Sequence, residues 1–139
     1  MTPSYASTAS SGGTTAFSTN NASAQITVTS VNDAPAGADK TITTLEDTTY
    51  TFAASDFGFS DTSDSPANTL LDVTINTLPA SGTLKLSGVN VTAGQVITAA
   101  NLANLTWTPA ANSNGNALAN FTFTVRDNGG TANGGVDSD

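Results

Sequence analysis

A chain of 139 residues with 37% hydrophobic residues carries enough apolar material for one packed domain and not for two. Three basic against eleven acidic residues give a formal net charge of -8, which excludes a surface built to neutralise nucleic-acid phosphates. Cysteine and histidine are both absent, so disulfides, thiolate or imidazole metal sites, Ser-His-Asp triads and Cys-His dyads are excluded together.

Residues 1–23 are mostly Ser, Thr, Ala, Gly and Asn, and are read as a flexible segment too polar to pack unaided. They carry no basic region followed by an apolar one, the pattern of a signal peptide, and no stretch of the chain approaches the roughly 20 apolar residues of a membrane span. "AQITVTSV" (24–31) alternates, with Ile26 and Val28 on one face and Thr27 and Thr29 on the other, and predicts a half-buried strand. "SVNDAPAGAD" then interrupts it with an Asn-Asp pair, a proline and a further acid. "KTITTL" and "TYTFAA" predict two strands separated by the turn "EDT", and "LLDVTINTL" places Leu71, Val73 and Ile75 on one face.

"GTLKLSGV" predicts a hairpin limb ending at Gly88, and the Ala-Asn-Leu spacing of "VITAANLANL" allows one helical turn. "NLTWTP" returns to strand until Pro109 stops it, with Trp107 in the core beside Leu105 and Pro109. "NFTFTVR" sets Phe121, Phe123 and Val125 against Thr122, Thr124 and Arg126. Short alternating strands punctuated by Gly, Pro, Asn and Asp predict an all-β antiparallel sandwich.

Read together, "ITVTSVNDAP", "TLEDTTYTF", "ASDFGFSDTSDSPANTL", "LPASGTLKLSG", "LTWTPAANSNGN" and "FTFTVRDNGG" resemble, in this order, a cadherin-like repeat of immunoglobulin-sandwich type from large bacterial surface adhesins, of the RTX kind that type I systems secrete. The resemblance covers residues 24–139 and implies a Greek-key β-sandwich of about seven strands, with 24–34 the final strand and linker of a preceding repeat and 35–139 the repeat itself. It implies adjacent repeats of the same polypeptide as partners, an extracellular or cell-surface location, no enzymatic activity and calcium at the module junctions. The junction ligands carried over are Asn32 and Asp33 of the linker, Asp61 and Asp64 of the loop after the second strand, and Asp127 at the end of the Phe-rich strand, with Glu46 and Asp47 at the opposite end. Calcium takes six to eight oxygen ligands, so flexible acid-rich loops serve calcium better than they serve magnesium.

Alternative readings stand beside this one. Asp and Asn are also turn formers that bond their own backbone. "DTSDS" is not the tight Asp-x-Asp of vertebrate cadherins, and "DNGGTANGGVDSD" fits neither the EF-hand spacing nor the calcium-binding nonapeptide. A glycan-binding module would use Tyr5, Phe57, Phe59 or Trp107, and a glycosidase would use the carboxylates of Asp61 and Asp64. The Asn-x-Ser/Thr triplets at Asn21, Asn90, Asn104 and Asn120 are what a Thr-rich chain generates by chance, and no local pattern pairs Lys40 or Lys85 with an Asn for an isopeptide bond.

In repeats of the resembled type "ITVTSV" closes a module, which leaves the module from Pro35 onward without a final strand of its own. A sandwich lacking an edge strand invites strand addition, and residues 24–31 supply a strand either in the same chain or in another. The nine-residue step from Val31 to Lys40 reaches about 30 Å, against about 26 Å for an eight-residue strand, so return within one chain is just within reach.

Overall fold

The computed structural model describes residues 23–139. The readings that concern the flexible 1–23 segment, Tyr5 and Asn21 therefore fall outside the described residues or at their edge. Seven strands form two antiparallel sheets: β1 (Tyr50–Thr51), β2 (Leu70–Ile75), β3 (Thr83–Leu86), β4 (Val89–Asn90), β5 (Gln95–Thr98), β6 (Leu105–Thr108) and β7 (Phe123–Asp127). One sheet has the order β1-β6-β3-β4 and the other β5-β2-β7, an immunoglobulin-like sandwich as the alternating strands predict. Among the described residues no helix is long and apolar enough to cross a membrane.

The core follows the period-two patterning. Val73 and Ile75 of β2, Ile97 of β5, Leu105 of β6 and Val125 of β7 are buried, joined by Phe57 and Leu102. Each such side chain contributes about 1.5–3 kcal/mol of burial. Phe57 and Leu102 arrive on 3-10 turns, Ala54–Phe57 and Ala99–Asn104, and the second is the helical turn that the Ala-Asn-Leu spacing allows. Ser87 and Gly88, at φ 49° and 83°, link β3 to β4 with the left-handed backbone that a two-residue hairpin requires. Trp107 is half-buried against the core and its Nε1 donates to the Ser81 carbonyl at 3.2 Å.

Four local readings change. Leu71 does not share a face with Val73 and Ile75: the β2–β7 register shifts between Leu70 and Asp72, which turns Leu71 to solvent and buries Asp72 beneath Arg126. "TYTFAA" forms only the two-residue β1, because the chain turns into the 3-10 segment that sinks Asp56 and Phe57. "KTITTL" forms no ladder, although Ile42 packs against the core. Residues 24–31 form no ladder either, and Ile26 and Val28 are 86% and 88% exposed, since the segment finds neither an edge nor an apolar face among the described residues.

The edge of β7 is not wholly bare. The Asp127 amide donates to the Asp137 carbonyl at 2.9 Å, Arg126 bridges Ser138, and the Asp139 amide donates to the Val125 carbonyl at 3.3 Å. The last residues thus open an antiparallel ladder on β7.

Candidate metal site at the linker end

Residues 32–36 are tied to the sandwich at the C-terminal end of β7. Asn32 is the anchor: its carbonyl accepts the Val136 amide at 2.9 Å, and its Nδ2 donates to the Val136 carbonyl at 2.7 Å and to Asp127 Oδ1 at 3.0 Å. Pro35 is buried, and Ala36 and Ser60 exchange backbone bonds of 2.8 Å in both directions. Proline's fixed φ and the bridge that follows set the direction in which the linker enters the module.

Asn68, which the sequence reading passes over, joins the acids. Its backbone amide donates to Asp61 Oδ2, and its Nδ2 donates to Asn32 Oδ1 and, at 3.3 Å, to Asp64 Oδ2. Asp64 Oδ2 also accepts the Asp33 amide at 3.0 Å. The linker, the loop over 61–68 and the end of β7 are therefore one network, which brings Asn32, Asp33, Asp61, Asp64 and Asp127 to the same end of the sandwich. Asp33 takes part through its backbone while its side chain is exposed.

Burial separates these acids. Asp127 is fully buried and Asp61 is 8% exposed, yet Asp127 Oδ2 and Asp61 Oδ1 have no hydrogen-bond partner among the described residues. A buried acceptor left unpaired costs about 1–3 kcal/mol, and more when charged. Each carboxylate is held through its other oxygen, Asp127 Oδ1 by the Gly129 amide at 2.8 Å as well as by Asn32. Among the described residues no three acidic side chains converge tightly enough to bind a cation by themselves, so amide and backbone oxygens have to complete any coordination shell.

Gly129 is the second residue missed. A Cβ there would meet Asn32 Oδ1 at 1.8 Å and Asn68 Nδ2 at 2.5 Å, so only glycine lets the two Asn side chains close over Asp127. The "DNGG" that follows the Phe-rich strand is the trace of this in the sequence, and an Asn two residues after Pro66 in an acidic loop is the trace of Asn68.

Glu46 and Asp47 lie apart from this network and are exposed. Glu46 Oε2 accepts Asn114 Nδ2 at 3.4 Å and Asp47 Oδ1 accepts the Asn112 amide at 2.9 Å, which are turn-holding bonds to the loop between β6 and β7.

A further carboxylate is buried on the flank. Asp56 accepts the Tyr50 hydroxyl and the Ala53 amide at 2.9 Å each, and Lys40 Nζ sits 2.9 Å from its other oxygen. Burial pushes its pKa up, but the Ala53 amide, Lys40 and Tyr50 together hold it below the ordinary value of 3.8. Hydrogen bonding to Asp56, followed by its charge, raises the Lys40 pKa. The Lys40 amine thus faces a carboxylate in an ion pair rather than an Asn amide.

Among the described residues, the aromatic side chains of the glycan reading are engaged in packing. Phe57 is buried with its ring centroid 5.0 Å from that of Phe123, and Phe59 and Trp107 pack against the core. Asp61 and Asp64, the pair a glycosidase would need, both hold Asn68.

No curated protein and no solved structure matches this chain. A family model described as the bacterial Ig domain matches residues 32–138, from the anchoring Asn32 to the bridge on β7, and the chain belongs to that family.

Proposed function

We propose that this chain is a structural repeat of an extracellular bacterial adhesin, and that a calcium ion at the linker end fixes the angle between the module and the chain preceding it. The bacterial Ig domain family supports the structural repeat. The observation that carries the calcium reading is the pair of buried carboxylates, Asp127 and Asp61, each with an oxygen unpartnered among the described residues. These are hard oxygen donors of the kind calcium takes. Asp64 and the amide oxygens of Asn32 and Asn68 are the further donors of the network, and water fills remaining positions in such flexible shells.

The role is mechanical. Asn32 already locks the linker to β7 through Val136 and Asp127. A cation shared between the linker and the two buried acids adds resistance to hinge motion, which holds a distal binding region away from the cell surface.

The test is a thermal melt of the full chain against calcium, with chelator and magnesium as controls. Extracellular calcium modules bind with Kd of about 10⁻⁴ to 10⁻³ M, and a hundredfold excess over Kd adds about 2.7 kcal/mol. Calcium is expected to raise the midpoint of the wild-type chain. Asp127→Asn is expected to abolish that rise while leaving the calcium-free midpoint equal or higher, because the amide relieves an unpaired buried charge. A wild-type midpoint that ignores millimolar calcium and chelator alike sinks the reading.

A further inference from the structure

The structure assigns a self-modification site to the loop that Glu46 braces: Asn114 deamidates through a cyclic imide with the Gly115 nitrogen, and the carboxylate so formed releases the loop between β6 and β7. This inference stands independently of the cation.

The sequence carries three Asn-Gly steps, at Asn114, Asn128 and Asn133. Such a step is open to ring closure because the glycine has no Cβ to crowd the approach of its nitrogen to the Asn side chain. That nitrogen must also be free of hydrogen bonds, and it must come round the Cα–C bond to the side of the Asn Cβ. All three Asn residues are exposed, so access to water does not separate them. Their hydrogen bonds do.

Asn128 is held at both reacting ends. Its Oδ1 accepts the Thr69 amide at 2.9 Å, its own amide donates to the Thr69 carbonyl at 3.1 Å, and the Gly129 amide donates to Asp127 Oδ1 at 2.8 Å. Gly129 is further walled in by the side chains of Asn32 and Asn68. Asn133 lies inside the 3-10 turn Ala132–Gly134, where its ψ of 26° sets the Gly134 nitrogen opposite its Cβ. The Gly135 amide closes that turn on the Ala132 carbonyl at 3.1 Å, and Gly135 and Val136 are seated against Asn32.

At Asn114 nothing comparable holds. Among the described residues its side chain makes one bond, Nδ2 to Glu46 Oε2 at 3.4 Å, and the Gly115 amide makes none. Gly115, at φ 132°, has no atom within 4 Å of the place a Cβ would take. The neighbouring Asn112-Ser113 step lacks this freedom, since the Ser113 amide donates to the Ala110 carbonyl at 3.1 Å.

The chemistry needs water alone. The Gly115 nitrogen gives its proton to solvent and attacks Asn114 Cγ; the Cγ–Nδ2 bond breaks, and Nδ2 leaves as ammonia with a proton taken back from solvent. Water then opens the imide at one or the other carbonyl, which leaves Asp or isoaspartate. Either product replaces an amide donor by a carboxylate that faces Glu46 and its neighbour Asp47, and like charges a few ångströms apart repel. The loop loses its brace at Glu46 and keeps only the Asn112 amide on Asp47.

The test follows the full chain at mildly alkaline pH, with conversion at each Asn read by peptide mass spectrometry and isoaspartate by enzymatic methylation. Conversion is expected first at Asn114, at least about tenfold faster than at Asn128, where both reacting ends must give up a hydrogen bond. In denaturing urea the three steps are expected to converge. Asn114→Gln, whose longer side chain closes a larger ring, is expected to abolish the early conversion. Asn128 or Asn133 converting as fast as Asn114 in the folded chain overturns the assignment, and so does an unchanged spread of rates in urea. Asn114→Asp reads the release separately: its Asn112 and Ser113 amides are expected to lose protection against hydrogen exchange while those of β2 keep theirs. Equal exchange of these amides in the variant and the wild-type chain overturns the release.

Discussion

The flank and the linker end of this sandwich both bury carboxylates, and they treat them differently. On the flank, Asp56 has Tyr50, Ala53 and Lys40 around its two oxygens. At the linker end, Asp61 and Asp127 each have one oxygen bonded and one buried without a partner among the described residues. A satisfied buried acid is a structural fastener, and its ion pair consumes the charge locally. An unsatisfied one leaves a buried oxygen that a ligand of opposite sign can take as a partner. Number of acids is a poor guide, because Glu46 and Asp47 are adjacent and exposed and only brace a loop.

Substitution at Gly129 should break the linker end most severely. Gly129→Ala drives a methyl into Asn32 Oδ1 and is expected to destabilise by about 1–3 kcal/mol, as overpacking does. Hydrogen exchange locates the damage: the Val136 amide, which donates to Asn32, loses protection more than amides of β2 do. Uniform loss over both would show that the network is not a local lock.

On the flank the expected change is smaller and depends on pH. The depressed Asp56 pKa means that its contribution is complete above the ordinary carboxylate value of 3.8 and is lost as pH falls through the lower folded value. Lys40, whose pKa is raised, contributes fully below the ordinary value of 10.5 and ceases to do so as pH rises through its higher folded value. Asp56→Asn is expected to cost about 1–2 kcal/mol at neutral pH and to flatten the acid limb of the stability curve. Unchanged acid limbs in urea titrations of the two proteins would remove Asp56 from the account.

Glu46→Gln should have the least effect, within about 0.5 kcal/mol, and should leave the calcium response as it was. A calcium response that vanishes with Glu46 would move the site to the other end of the sandwich and reverse the comparison.

The alternation of β6 and β7 was legible in the sequence, whereas that of residues 24–31 forms no ladder. Phe121, Phe123 and Val125 point where the pattern places them, and Leu105, Trp107 and Pro109 share the core side as expected. Leu71 was misread because a bulge shifts the register by one residue, and period-two reading has no means of detecting that shift. Asp56 escaped notice because the 3-10 turn that buries it sits inside a stretch that reads as strand. Asn68 and Gly129 carry no charge, and their importance arises only where two loops and a linker meet.

By itself, the sequence determined the class: a histidine-free, cysteine-free, Thr-rich chain whose alternating runs are short has an antiparallel sandwich as its way to bury Val, Ile and Phe. The candidate acids came from the resemblance to a cadherin-like repeat, whose ordered phrases the sequence carries. Tertiary structure decided which of them lose their water. Burial of Asp61 and Asp127 depends on long-range pairing between residues far apart in the chain, and local patterning does not encode that.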